Sequence, residues 1–84
     1  MISEGLQDFL TSYCGADEDM AETRRIMQGE AGAYFAPWLK PELDAAIADQ
    51  SVSPEQARYL MSRRFGNAEE VAEWLAGLRR EWFG

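Results

Sequence analysis

A chain of 84 residues, 46% hydrophobic and 12% aromatic, can bury one modest core and is too apolar to stay disordered, while no apolar run reaches the roughly 18 residues that cross a bilayer. With no histidine and a single cysteine, Cys14, the sequence excludes a histidine general base, a histidine-containing zinc site and an internal disulfide. Its net charge of −7 repels nucleic-acid phosphates and favours basic protein partners.

The charge is unevenly placed. Residues 1–50 carry ten acids (Glu4, Asp8, Asp17, Glu18, Asp19, Glu22, Glu30, Glu42, Asp44 and Asp49) against three bases (Arg24, Arg25 and Lys40), whereas residues 51–84 carry five of each. The start, MISEGLQDF, has neither the basic residues nor the apolar stretch of a secretory signal, so a cytoplasmic protein with no membrane contact is expected.

Helix signals run through the chain in order. Ser3 can cap a first helix with Leu6, Phe9, Leu10 and Tyr13 on one face, ending at Gly15. Asp17 or Asp19 caps a shorter helix through about Gln28, with Met20, Thr23 and Met27 inward and Arg24 and Arg25 toward its end. Gly29 and Gly32 then break the pattern, and Pro37 disfavours a straight helix through AYFAPWLK. Pro41 suits the first position of a new helix, ELDAAIADQ, with Leu43, Ala46 and Ile47 inward.

The second half is clearer. Ser53, Pro54, Glu55 and Gln56 form a capping box ahead of Ala57, Leu60, Met61 and Phe65, and that helix is expected to stop at Gly66. Asn67 caps the last helix, with Glu70 three residues on and an apolar stripe of Val71, Trp74, Leu75, Leu78 and Trp82. Only Gly66 and Asn67 would separate these two helices, which would then pack as a hairpin or a sharp corner. No strand pattern, repeat or dividing linker is present, and the expected fold is all-α: one compact domain, residues 1–84, of about five short helices.

Chemistry-bearing motifs are scarce. Asp17 and Asp19 stand two apart as in a calcium loop, but the fifth, sixth and twelfth positions counted from Asp17 are Ala21, Glu22 and Gln28, where such a loop needs a ligand, a glycine and a bidentate glutamate. Acids in the first turn of a helix and arginines in its last, each worth about 0.3–1 kcal/mol against the helix dipole, account for GADEDMAETRR more simply. Cys14 ends an apolar helix beside acids, which suits a buried core residue and not an activated nucleophile. GEAG at 29–32 is too short and too acidic to cradle phosphate. No metal, no cofactor and no enzyme activity are expected.

Two small helical classes fit part of the pattern. An acyl carrier protein is likewise short and acidic, but its modified serine would fall near Asp49, Gln50, Ser51 and Val52, one residue out of register, and Ser53–Pro54 already has a capping role. A DNA-binding helical module would use Arg58, Arg63, Arg64, Arg79 and Arg80, yet these interleave with Glu69, Glu70, Glu73 and Glu81 as on a solvated, ion-paired face.

Three segments, LQDFLTSY near the start, LKPELDAAIADQSVSPEQARYLMSRRFG in the middle and AEEVAEWLAGLRREW at the end, together resemble the small helical immunity proteins of bacterial contact-dependent growth inhibition systems. In that family a leucine, phenylalanine and tyrosine start leads into an aspartate-rich segment, an "EL" helix and a closing "WL" helix. Where the family commonly has an aromatic, histidine and tryptophan run after the tyrosine, this chain has Cys14, Gly15, Ala16 and Asp17. The resemblance implies a stoichiometric inhibitor that blocks a toxin domain, often a nuclease with a basic cleft.

The binding residues expected on charge and aromatic content are Asp17, Glu18, Asp19, Glu22, Glu30, Glu42 and Asp44, joined by Tyr34, Phe35 and Trp38 where these are exposed beside them. The expected partner is a basic protein, met by a monomer or weak dimer. Two other readings remain open from sequence: an acidic phage-type inhibitor that mimics DNA to block a host defence protein, and a helical adaptor or carrier-like protein.

Overall fold

Four polar side chains start four of the five helices in the computed structural model, which describes residues 2–84. Ser3 accepts from the Leu6 amide ahead of α1 (Glu4–Tyr13), and Asp19 accepts from Ala21 and Glu22 ahead of α2 (Met20–Met27). Ser53 accepts from Gln56 ahead of α4 (Pro54–Met61), with Pro54 in the first turn, and Asn67 accepts from Glu70 ahead of α5 (Ala68–Phe83). Each cap satisfies amides that the first turn would leave unbonded, at about 1 kcal/mol apiece. The remaining helix, α3 (Glu30–Asp49), starts at Gly29 with no side-chain cap.

The all-α expectation holds, with one difference in the middle of the chain. In place of a break at Pro37 and a fresh start at Pro41, α3 runs unbroken for 20 residues with both prolines inside it, and Gly32 also lies within it. The two prolines are four residues apart and exposed, so both sit on the solvent side, where the carbonyls of Ala33 and Pro37 that lose their helical partners can bond to water. On the opposite side Leu39, Leu43 and Ala46 are buried, which holds the helix together across the two missing hydrogen bonds.

Gly32 has a spatial role. A Cβ there would collide with the Met27 carbonyl oxygen and lie 2.7 Å from the Met27 carbonyl carbon, so the absence of a side chain is what lets α3 fold back against the end of α2.

The junction between α4 and α5 also departs from expectation. α4 ends at Met61, not at Gly66, because Ser62 takes a left-handed conformation (φ 56°, ψ 30°) that turns the chain out of the helix. The connection is therefore residues 62–67, and Phe65 lies in it, its ring 5.8 Å from that of Trp74.

Arg63 in this connection closes the C-terminal end of α1. Its Nε donates to the Cys14 carbonyl at 2.9 Å and its Nη2 to the Gly15 carbonyl at 3.2 Å, while the guanidinium stacks 4.8 Å from the Trp74 ring. Thr23 of α2 donates to the Tyr13 carbonyl at 3.0 Å, and the Ala16 amide donates to the Met61 carbonyl at 2.7 Å. Arg63 and Thr23 thus satisfy the end of α1, where the dipole favours a cation, and Ala16 satisfies the last carbonyl of α4.

One continuous core results. Leu6, Leu10, Leu39, Leu43, Val71 and Leu75 are fully buried at its centre. Phe9 joins α1 to the rest, its ring meeting Tyr13, Phe35, Trp38 and Trp82 at centroid distances of 4.9–6.3 Å. Trp82, only 5% exposed, seals the end of the core with its indole N–H unpaired among rings, and Phe83 packs beside it under Lys40 and Arg79.

Gly32→Ala is expected to destabilise the protein by about 2–3 kcal/mol, because the obstruction is backbone and no rotamer relieves it. Gly77, inside α5 with nothing within 4 Å of a built Cβ, is the contrasting site: Gly77→Ala is expected to stabilise by about 0.5–1 kcal/mol. Urea unfolding of both variants beside the parent measures the two opposite signs.

Candidate functional site

All fifteen carboxylates lie at the surface, fourteen of them exposed and Glu42 half-buried. The bases are used differently. Arg63 is folded onto Trp74 and the end of α1, Arg79 bonds Asp44 and the Gly84 carbonyl, and Lys40 lies 5.8 Å from the Phe83 ring centroid. Several cations thus turn toward the protein's own structure, whereas the acids face water. Among the described residues, only Glu22, Asp44 and Glu81 form ion pairs.

The acids and aromatics picked out from sequence fall into distinct settings. Asp17, Glu18 and Asp19 are exposed in the connection between α1 and α2, where Asp19 is engaged as the α2 cap. Glu22 pairs with Arg25 one turn along, and Asp44 pairs with Arg79 of α5 at 2.9 Å. Phe35 packs against the core beside Phe9 and Tyr13. The other four, Glu30, Tyr34, Trp38 and Glu42, share one side of α3, the helix that also carries Phe35 and Asp44.

Their spacing places them on one stripe. At four-residue intervals they advance slowly around the helix, and with Pro41, Ala45 and Asp49 they occupy roughly a third of its circumference. Tyr34 is 77% exposed, Trp38 is half-buried, and the two are linked through Phe35 by edge-on ring contacts of 5.4 and 6.0 Å. The stripe is thus acidic and aromatic together.

Toward the end of α3 the stripe becomes one wall of a cleft of 820 Å³, closed on the other side by Ile2 and Ser3. Trp38, Pro41, Ala45 and Ala46 give it an apolar lining, Glu42 and Asp49 supply two carboxylates, and among the described residues no basic side chain lines it. Ser3 braces this arrangement: its oxygen accepts from Leu6 at 3.1 Å, and its hydroxyl donates to Glu42 Oε2 at 2.6 Å. That bond ties the start of α1 to α3 and uses one of the two Glu42 oxygens.

Asp49, Ala45, Pro41 and the pair Ile2 and Ser3 were not grouped with the expected binding residues. The signal was present as the Glu30, Tyr34, Trp38, Glu42 and Asp49 spacing, but it has meaning only on a continuous helix, and Pro37 and Pro41 argued against one.

Cys14 is fully buried. Burial pushes its thiol from an ordinary 9.0 up to about 12, with the Arg63 cation working against that rise and Glu18 adding to it. A thiol in that state is neutral at physiological pH and sterically enclosed. Among the described residues no group of three or more carboxylates or cysteine gathers as a metal site, and no helix is long and apolar enough to cross a membrane.

The chain matches no protein-family model, no curated protein and no solved structure.

In native protein at pH 8, Cys14 is expected to resist a thiol reagent such as DTNB until urea unfolds the chain. Its raised folded pKa stabilises the protein fully below pH 9, and that contribution is lost as pH rises from 9 toward 12. Thermal unfolding of the parent and Cys14→Ala across this range measures the effect as a steeper alkaline decline in the parent.

Proposed function

We propose that this protein is a non-catalytic acidic binding protein that occupies and blocks a basic toxin domain, as the resemblance to contact-dependent growth inhibition immunity proteins implies. The observation that carries the reading is the outward placement of the acids: nine of the ten in residues 1–50 are exposed, and among the described residues only Glu22 and Asp44 of the ten are ion-paired.

Physics gives this arrangement a use. A one-signed surface steers an oppositely charged partner, raising association rates to about 10⁸–10⁹ M⁻¹s⁻¹ at low salt. A few aromatic anchors, desolvated on contact, then slow dissociation. Tyr34, exposed far beyond what packing requires, is available for that role. A toxin nuclease has a basic cleft because its substrate is polyanionic, so an acidic cover of this kind would compete directly with nucleic acid. The protein would act in the cytoplasm, one copy per toxin, without a cofactor.

Affinity capture from the host lysate at low and high salt, with mass spectrometry of the retained protein, tests the reading. The expected result is one basic toxin-like protein in equal amount, retained less at high salt, whose nuclease activity the bound protein suppresses. An empty column overturns it, and a nucleic-acid-binding defence complex would replace it with DNA mimicry.

A further inference from the structure

The charge of the first half is spread over several elements, and one acidic region is also a cleft. At the start of α2, Asp19 is committed to capping and Glu22 to Arg25. The space between the N-terminal residues and α3 combines three features: an open concave shape, an apolar lining headed by a half-buried tryptophan, and two carboxylates with no lining cation among the described residues.

We propose that this cleft is the docking site for a basic amphipathic segment of the partner protein. The inference rests on the reading that the partner is basic, and it names the place and the chemistry. An aliphatic or aromatic side chain of the segment lies over Trp38, Pro41 and Ala45, and a lysine or arginine reaches the Glu42 and Asp49 carboxylates.

Charge and shape both select that occupant. Glu42 and Asp49 are seven residues apart, about 10 Å along the axis, so one long cationic side chain engages either, and two cations one or two turns apart engage both. Glu42 keeps Oε1 free of any partner among the described residues, while its Oε2 is held by Ser3. The carboxylate is therefore already oriented before a cation arrives, which lowers the ordering cost of binding. An acidic or neutral segment would leave two carboxylates facing like charge or losing water without compensation. The space of 820 Å³ is open to solvent and suits a few side chains of a larger partner and not a whole domain.

The position of the cleft adds a mechanical consequence. Ile2 belongs to the buried core and also lines the cleft, and Ser3 both caps α1 and holds Glu42. A segment seated there contacts α3 together with the residues ahead of α1, so binding braces the attachment of the chain start to the longest helix.

Nuclear magnetic resonance titration of ¹⁵N-labelled protein tests the proposal with a synthetic amphipathic lysine–leucine peptide as the probe. Two peptides of the same length serve as controls: lysine with glycine and serine, which keeps the charge, and glutamate with leucine, which keeps the apolar face. The lysine–leucine peptide is expected to shift the amides of Ser3, Glu42, Ala45 and Asp49 and the Trp38 indole N–H, with both controls binding about tenfold more weakly or worse.

Ala45→Arg places bulk and positive charge in the cleft at an exposed helical position and is expected to weaken the peptide by at least about tenfold. Asp49→Asn removes one carboxylate with little change of volume and gives a smaller loss in the same direction. Glu69→Gln with Glu73→Gln, at exposed positions of α5 outside the cleft, leaves the peptide affinity within about twofold. Shifts centred on residues 17–22, shifts scattered over the surface, binding indifferent to Ala45→Arg, or no shift at all overturns the proposal. A captured basic partner indifferent to Ala45→Arg sinks the cleft and leaves the functional reading standing. A cleft that takes the peptide while no basic partner is captured does the reverse.

Discussion

Packing of the inner side of α3 against the core holds a helix together where two prolines would ordinarily end it. Leu39 and Leu43 are fully buried, and each contributes about 1.5–3 kcal/mol by leaving water. Each interior proline costs about 3 kcal/mol in an isolated helix, through a missing hydrogen bond and a crowded carbonyl. The opposing quantities are of similar size, so orientation decides the outcome. With Pro37 and Pro41 both outward, water can satisfy the freed carbonyls while the apolar side keeps its contacts. Gly32 completes the condition by letting α3 begin hard against the end of α2.

The continuity of α3 determines the character of the surface. Broken at Pro37, the segment would present Glu30 and Tyr34 on one short element and Glu42 and Asp49 on another. Unbroken, it aligns them with Trp38 along one side, and its second half becomes the wall of a cleft facing Ile2 and Ser3. The Ser3 hydroxyl shows how closely fold and surface are joined: the oxygen that starts α1 also orients Glu42. Elsewhere two of the cations serve internal duties, Arg63 at the end of α1 and Arg79 at the end of α5, which leaves the exterior more acidic than the composition alone conveys.

What could be read from the sequence follows the range of the interactions concerned. The caps at Ser3, Ser53 and Asn67 act over three residues, and the α5 stripe repeats over one helix, so local pattern was enough for both, whereas for α2 it left Asp17 and Asp19 as alternatives until the structure placed Asp19 at the cap. The unbroken α3, the steric need for Gly32 and the left-handed turn at Ser62 depend on contacts made far along the chain, and local rules pointed the other way. The same limit applies to the surface. Acidic excess was visible in the composition, but its separation into a capping cluster at α2, a pair with Arg79 and a stripe on α3 emerged only once the helices were assembled. Phe35, one residue from exposed Tyr34, turns to the core because adjacent helical positions point about 100° apart.

The central claim is that an outward-facing acidic surface, organised by α3, meets a basic protein. The most direct measurement is the association rate of the purified protein with its basic partner as ionic strength is raised, made in parallel for the parent and a Glu30→Lys, Asp49→Lys variant of the α3 stripe. Electrostatic capture requires a rate that falls steeply with salt in the parent, and a slower rate with a shallower salt dependence in the variant. A parent rate indifferent to salt, or a variant indistinguishable from the parent, would contradict the claim and leave the acids of α3 as a solvated face.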